Sequence, residues 1–422
     1  MKNHKFKISL LKIRYFTANL NAILLLVGYA LFTSLVFGVG GESDISVTRG
    51  FSIYYRAFAI IIALLTIMLN INKPLLSNKN ILLYFLLWAL FSCRIIYDLF
   101  FRISELTPDD KSFFFQFIFG AVLIPTIAIY LSHRNLNLKL IYYSVFFVLI
   151  IVVTKGIILN LVFITILGQG RTQMNIAQST LTFGSFGGIL SLLSFSMVTS
   201  KVKNYKLKLF FFFTLIWGLF AVALAGSRGP FFGVVITIFI SFYLKNAVAS
   251  IKTSFLIIII VIIFGTQIVE LVKTIAPALY ERTYSTVVDS SLGGRESVFD
   301  QAVNQIVKHP IFGDWFLLDR ADLTSYAHNA FLGAVMSIGI LGGILVIYLY
   351  FILFKYSLKV IRTQGIYSFW GYSTLFYIVY SMTTGGDIYI KTDFNFSFLI
   401  LLLIFSKSTN LYSQVFTNIE SA

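Results

Sequence analysis

Apolar runs of about 20 residues recur from one end of the chain to the other, separated by short stretches rich in Lys, Arg and Asn. Twelve such runs fall approximately at 19–39, 52–70, 80–100, 113–131, 138–158, 176–199, 209–225, 230–245, 254–272, 327–354, 366–384 and 393–406. At 1.5 Å per residue, a helix of about 20 residues crosses the roughly 30 Å hydrocarbon core of a bilayer. Only helices and closed barrels satisfy their backbone in lipid, and no period-two alternation marks barrel strands. The pattern predicts an all-α polytopic membrane protein with about 12 transmembrane helices. The run from 138 to 167 is interrupted by Lys155-Gly156. It is read as one long tilted helix, or as a span followed by a re-entrant piece, because the stretch after Lys155 is too short to cross alone.

One polar stretch is long, running from about 273 to 326. Within it, Val298, Phe299, Ala302, Val303, Ile306 and Val307 recur at helical spacing and form one apolar face. This spacing predicts a short amphipathic helix over Arg295–His309, ended by Pro310 and Gly313. A packed loop helix without chemistry accounts for that face equally well. No internal repeat or low-complexity linker is visible, so residues 1–422 read as a single integral membrane domain.

Composition agrees with the pattern. Of 422 residues, 58% are hydrophobic and only 12% charged, against about 25% charged in soluble domains. Mean hydropathy is +0.87. A net charge of +16 would suggest a nucleic-acid partner in a soluble protein. Here more than half of the 33 basic residues fall in segments on the side of the N-terminus. The excess is a topology signal that places both termini in the cytoplasm and leaves the lipid bilayer, not nucleic acid, as the partner. The first apolar run has no small-residue cleavage site after it and is not expected to be a cleaved signal. The single Cys93 excludes an internal disulfide and a thiolate metal site.

Candidate chemistry lies on the opposite, outer side. The sequence Tyr326-Ala327-His328-Asn329-Ala330 puts a histidine where the long loop ends and an apolar helix begins. His4 and His133 fall on the cytoplasmic side, and His309 precedes Pro310 in a turn. A helix N-terminus disfavours imidazolium, so His328 is expected to stay neutral near pH 7 and able to accept a proton. A hydrogen-bonded structural histidine is the commoner alternative for such a position. Arg228, in Gly226-Ser227-Arg228-Gly229-Pro230, sits at a helix start where the dipole favours anions. An arginine there makes sense if an anion binds between it and the free backbone N–H groups. Arg171 follows Gly168-Gln169-Gly170 and reads equally as an interfacial anchor or a ligand contact. Arg295 follows Gly293-Gly294 at the start of the amphipathic helix. Arg94 and Asp98, at i and i+4 within the third span, read first as a structural ion pair. Gly333, Gly339 and Gly343 read as allowing close helix packing.

Four segments in this order resemble the bacterial O-antigen polymerase and O-antigen ligase superfamily. They are Gly170-Arg171 with Asn175-Ile176-Ala177; Gly226-Ser227-Arg228-Gly229; Gly294-Arg295 leading to His309-Pro310-Ile311-Phe312-Gly313; and Ala327-His328-Asn329-Ala330-Phe331-Leu332 followed by Gly339-Ile340-Leu341-Gly342. The resemblance covers roughly residues 165–345. Ligases of the superfamily tend to carry two threonines after the second glycine, where this chain has Gly343-Ile344, which favours a polymerase.

The resemblance implies a glycosyltransferase of the bacterial inner membrane, needing no metal or other cofactor, with its active site and the 273–326 loop in the periplasm. Its substrates would be undecaprenyl-pyrophosphate-linked oligosaccharides, with a polysaccharide chain-length regulator as a further partner. Arg228 and Arg295, with Arg171 as a weaker third, would hold the substrate pyrophosphate, and His328 would activate the acceptor hydroxyl. A ligase moving the glycan onto lipid A–core is the alternative within the family. A flippase for the same lipid is the alternative of another class, and twelve spans suit it. A transferase using a polyprenyl monophosphate sugar would use an acidic pair such as Glu42 and Asp44.

Overall fold

A computed structural model describes residues 2–36, 45–72, 78–106, 111, 113–167, 180–201, 203–245, scattered positions between 264 and 284, 296–317, 327–383, 391–406 and 410–420. Among them there are helices and turns and no strand. In chain order the helices are α1 (Lys2–Ile23), α2 (Tyr29–Val36), α3 (Ile45–Asn70), α4 (Lys79–Phe101), α5 (Ile124–Ser132), α6 (Leu138–Leu167) and α7 (Thr180–Val198). They continue as α8 (Tyr205–Leu224), α9 (Arg228–Lys245), α10 (Glu296–Lys308), α11 (Ala330–Ile361), α12 (Ser368–Thr383), α13 (Thr392–Ile404) and α14 (Asn410–Glu420). Two π-helical stretches, Leu24–Gly28 and Phe113–Leu123, run directly into α2 and α5.

Among the described residues, eight helical stretches are long and apolar enough to cross a membrane. They coincide with the first seven runs read from the sequence and with the tenth. The runs at 230–245 and 393–406 appear as shorter apolar helices, and 366–384 as the 16-residue α12. The run at 254–272 lies mostly outside the described residues. Lys155 does not interrupt α6, because its ammonium reaches the Ser34 carbonyl at the end of α2 and the helix continues past it to Leu167.

Local rules explain where the helices begin. Asn78, Asn204 and Asn329 each cap a helix, their side chains accepting from backbone N–H groups of the first turn. The bundle closes around α7, whose residues are buried almost throughout. A Cβ on Gly187 would lie 2.8 Å from the Gly218 carbonyl oxygen, so α7 and α8 approach as closely as backbones allow. Ser194 and Thr214 share a hydrogen bond at 2.8 Å across that contact. Between α4 and α13, Asn395 accepts from Tyr84 at 2.6 Å and Trp88 at 3.1 Å. Such buried pairs satisfy polar groups that lipid cannot.

α11 is not one straight rod. Ile338 (φ −128°) and Gly339 (φ +70°, ψ −166°) leave helical geometry. The Phe331 ring lies 3.0 Å from where a Cβ on Gly343 would stand, although a straight helix separates these residues by about 18 Å. The arm 330–337 therefore doubles back along the arm that begins at 340. The helix read over 327–354 is thus broken after its first two turns, the longer arm from 340 to 361 remaining continuous, and Gly339 is its hinge as well as a packing residue. The chain 309–314 completes the break. The Pro310 carbonyl accepts from Ile340 N–H, and the Met336 carbonyl accepts from Asp314 N–H, each at 2.9 Å. Backbone groups released by a broken helix must find such partners when buried.

The same segment is anchored on its other side to α4. Asp98, fully buried, accepts from Arg94 at 2.8 Å and from the Phe316 N–H at 2.9 Å. Asp314 accepts from Arg102 at 2.8 Å, and the Arg102 guanidinium stacks 4.4 Å from the Trp315 ring. The Arg94–Asp98 pair is structural, as its spacing suggests, and it extends to a segment more than 200 residues away. Asp314→Ala is expected to lower stability by about 1–3 kcal/mol, because Arg102 loses its charged partner while three-quarters covered. Thermal unfolding of the variant and of Arg102→Ala checks this. A coupled pair should give a double variant little worse than either single one.

Candidate functional site

Two of the four residues singled out as site residues are described. Arg171 and Arg295 lie outside the described residues, as do Glu42 and Asp44.

His328 immediately precedes the Asn329 cap. It is half-buried and has φ +55°, the one positive φ of a non-glycine residue among those described. Histidine tolerates this region better than most residues, but the conformation is still uncommon and clusters at functional positions. Asn329 holds the turn in two ways. Its side-chain oxygen accepts from the Phe331 and Leu332 N–H groups, both at 3.0 Å. Its amide donates to the Met382 carbonyl at 2.7 Å, tying the start of α11 to the last turn of α12. From below, the α10 residues Val298 and Ala302 pack on Ala327 and Met336. The amphipathic helix expected over Arg295–His309 is present as α10, and part of its apolar face supports the His328 turn. Val303 and Val307 remain exposed.

Arg228 is the first residue of α9 and is half-buried. The preceding turn is tight, with Gly226 at φ +58° and Ser227 fully buried. Pro230 and Ala225 press on Gly184 of α7, where a Cβ would meet them at 3.1 and 3.3 Å.

Three contacts bring these two turns to one end of the bundle. Asn329 reaches Met382, Tyr380 of the same α12 turn donates to the Leu181 carbonyl at 3.3 Å, and Gly184, one turn along α7, faces the Arg228 turn. His328 and Arg228 therefore lie at the same face of the protein, with the ends of α7 and α12 between them. His309, the first residue of the docking segment, is half exposed with Nε2 3.8 Å from Asp314. Among the described residues, no group of three or more His, Cys, Asp and Glu side chains is placed to hold a metal ion.

No family model matches the chain, and no curated protein matches it.

A second group of ionisable residues was not singled out from the sequence. A cavity of about 310 Å³ is bounded by the π-helical stretch Leu24–Gly28, α3, α5, α7 and the start of α13. Arg56, Lys391 and Asp393 line it, together with Tyr55 and Ser185. The Asp393 carboxylate accepts from Tyr377 at 2.9 Å and from the Phe394 N–H at 3.1 Å. Burial lowers the Lys391 ammonium below lysine's ordinary value, and the Asp393 carboxylate acts in the opposite direction. Tyr55 donates to the Leu24 carbonyl at 2.8 Å, stabilising the π-helical wall. Such stretches occur frequently at functional sites. The clue in the sequence was the presence of Arg56 inside the second span and of Lys391 and Asp393 at the mouth of the last. Ionisable groups in membrane segments mark function by default.

Proposed function

We propose that the chain is an O-antigen polymerase, moving a glycan from undecaprenyl pyrophosphate onto a hydroxyl of a second lipid-linked repeat unit at the periplasmic face of the bacterial inner membrane. The observation that carries the reading is the meeting of separate sequence segments. The His328 turn and the Arg228 turn share one end of the bundle, and the His309–Gly313 segment docks into the break of the helix that His328 begins.

In the proposed reaction the bond between the anomeric carbon and the pyrophosphate oxygen breaks, and a bond from the acceptor oxygen to that carbon forms. The departing pyrophosphate gains negative charge. Arg228, at the start of α9, meets that charge with bidentate hydrogen bonds, joined by Arg295 and more weakly by Arg171. His328 takes the acceptor proton, which then passes to water. Attack opposite the leaving group inverts the anomeric centre. Charge neutralisation falls to guanidinium groups, so polymerisation by purified protein is expected to proceed at full rate in EDTA. A rate restored only by an added divalent cation would overturn the arginine assignment.

The lipopolysaccharide gel profile of a deletion strain tests the function. Core carrying a single repeat unit is the expected result. Bare core with accumulated lipid-linked polymer would identify a ligase, and absence of periplasmic repeat units would identify a flippase.

A further inference from the structure

α10 is apolar on two sides. Val298 and Ala302 pack on the His328 turn, and Gln305 donates to the Trp315 carbonyl at 2.9 Å, so these positions face the protein. Val303 and Val307 fall on the opposite side of the helix and are exposed. Ile311 and Phe312 extend this bare stretch just beyond the helix, Ile311 at 64% exposure and Phe312 at 83%. From 301 to 312 there is no acidic residue, and Lys308 is the one lysine or arginine. Contiguous exposed apolar surface of this kind marks contact with a partner or a membrane.

The neighbours of the stretch say which. The backbone of Ile311 and Phe312 lies against Gly339, and the Pro310 carbonyl accepts from the Ile340 N–H at 2.9 Å. Ile340 begins the exposed face of the long α11 arm, which continues through Leu341, Ile344, Ile347, Tyr348 and Phe351 at helical spacing. α11 is long and apolar enough to cross a membrane, so this face is its lipid-facing side. On the other flank, Asp314 is held by Arg102, which directly follows Phe100 and Phe101 at the end of α4. Both phenylalanines are strongly exposed, and α4 is a second helix able to span. The chain from 311 to 314 therefore joins the lipid-facing ends of two spans. The exposed polar residues Ser297 and Asp300 lie at the other end of α10.

We propose that residues 303–312 dip into the lipid leaflet on which α10 lies, with Ile311 and Phe312 among the acyl chains and the Lys308 ammonium at the level of the lipid phosphates. The partner of this surface is the bilayer itself, continuous with the lipid already facing α11. This holds whatever reaction the His328 site catalyses. The anchored segment is also the one bonded to Met336 and Ile340 on either side of the Gly339 hinge, so the leaflet fixes the level of the arm that follows His328.

Spin-label accessibility reads the depth of each position in the full-length protein, held in vesicles of phosphatidylethanolamine and phosphatidylglycerol. The single cysteine is removed by Cys93→Ser, and one label site is introduced at a time by Val307→Cys, Ile311→Cys or Phe312→Cys. Ile344→Cys supplies the lipid reference and Asp300→Cys the water reference. All five label sites are exposed, so labelling leaves the core intact. The labels at 311 and 312 are expected to collide with oxygen in preference to a water-soluble nickel chelate, as at 344, and the label at 300 to show the reverse. The label at 307 should fall between the two references. Phe312→Asp is expected to shift the 311 label toward the nickel chelate, because a carboxylate resists entry into hydrocarbon, whereas Phe312→Leu should not. Nickel access at 311 and 312 equal to that at 300 overturns the proposal, as does a 311 label unmoved by Phe312→Asp. Poor access to both reagents overturns it too, since protein would then cover the stretch, whether a second copy or another segment of this chain.

Discussion

A strain carrying His328→Ala as its only copy is expected to make core with single repeat units, with the variant protein at wild-type level in the membrane. The expected loss is about 10²–10⁴ in transfer rate, the range for removal of a general base. The positive φ of His328 makes the interpretation sharper. If the residue served only to build the turn, glycine would serve at least as well, since it enters the left-handed region without a steric cost. His328→Gly is therefore expected to fold at least as stably as wild type and to be as inactive as His328→Ala. A ladder restored by glycine would assign the residue to the backbone and sink the chemical role. Arg228→Ala is expected to give the same single-unit pattern, at a cost of about 10²–10³ in rate, as for loss of one charge-stabilising donor. Arg228→Lys should recover only part of it, because an ammonium cannot reproduce a bidentate fork.

The membrane architecture was legible because hydropathy is a local property: a run of about 20 apolar residues declares itself without reference to the rest of the chain. Asn caps at 78, 204 and 329 are equally local. Gly339 was not legible in its real role. Its neighbours Ile338, Ile340 and Leu341 are apolar, and hydropathy runs through the break uninterrupted. What supports the hinge is the pair of backbone hydrogen bonds made by the Pro310 carbonyl and the Asp314 N–H, contributed by a segment that is itself held by the Asp314–Arg102 ion pair and the Phe316 N–H to Asp98 hydrogen bond. The i, i+4 spacing revealed the Arg94–Asp98 pair but not its third member. The cavity was missed for a related reason. Arg56 comes from α3, whereas Lys391 and Asp393 lie at the start of α13, and only the folded bundle brings them around one space. Arg228 and His328, 100 residues apart, were linked only through the order of short motifs. In the structure the ends of α7 and α12 carry that link.

The other large effect is expected at the hinge. A Cβ on Gly339 would lie 2.0 Å from the Ile311 carbonyl oxygen and 2.7 Å from the Phe312 nitrogen, both backbone atoms that no rotamer change can move aside. Its φ of +70° with ψ of −166° is also a region essentially reserved for glycine. Gly339→Ala therefore combines strain of about 1–3 kcal/mol with an overpacking cost of similar size. The protein is expected to express poorly or to melt well below wild type. Gly365 gives the internal comparison: it too has a positive φ, at +65°, but a Cβ there meets nothing closer than Ser200 at 3.8 Å. Gly365→Ala should show the conformational cost alone, on the order of 1–2 kcal/mol. The difference between the two melting shifts then measures the contact between the docking segment and the hinge. Equal shifts would mean that the 309–314 segment does not sit in the break. Any Gly339→Ala protein that does reach the membrane should also lose polymerisation, because the arm that follows His328 can no longer fold back along the rest of α11.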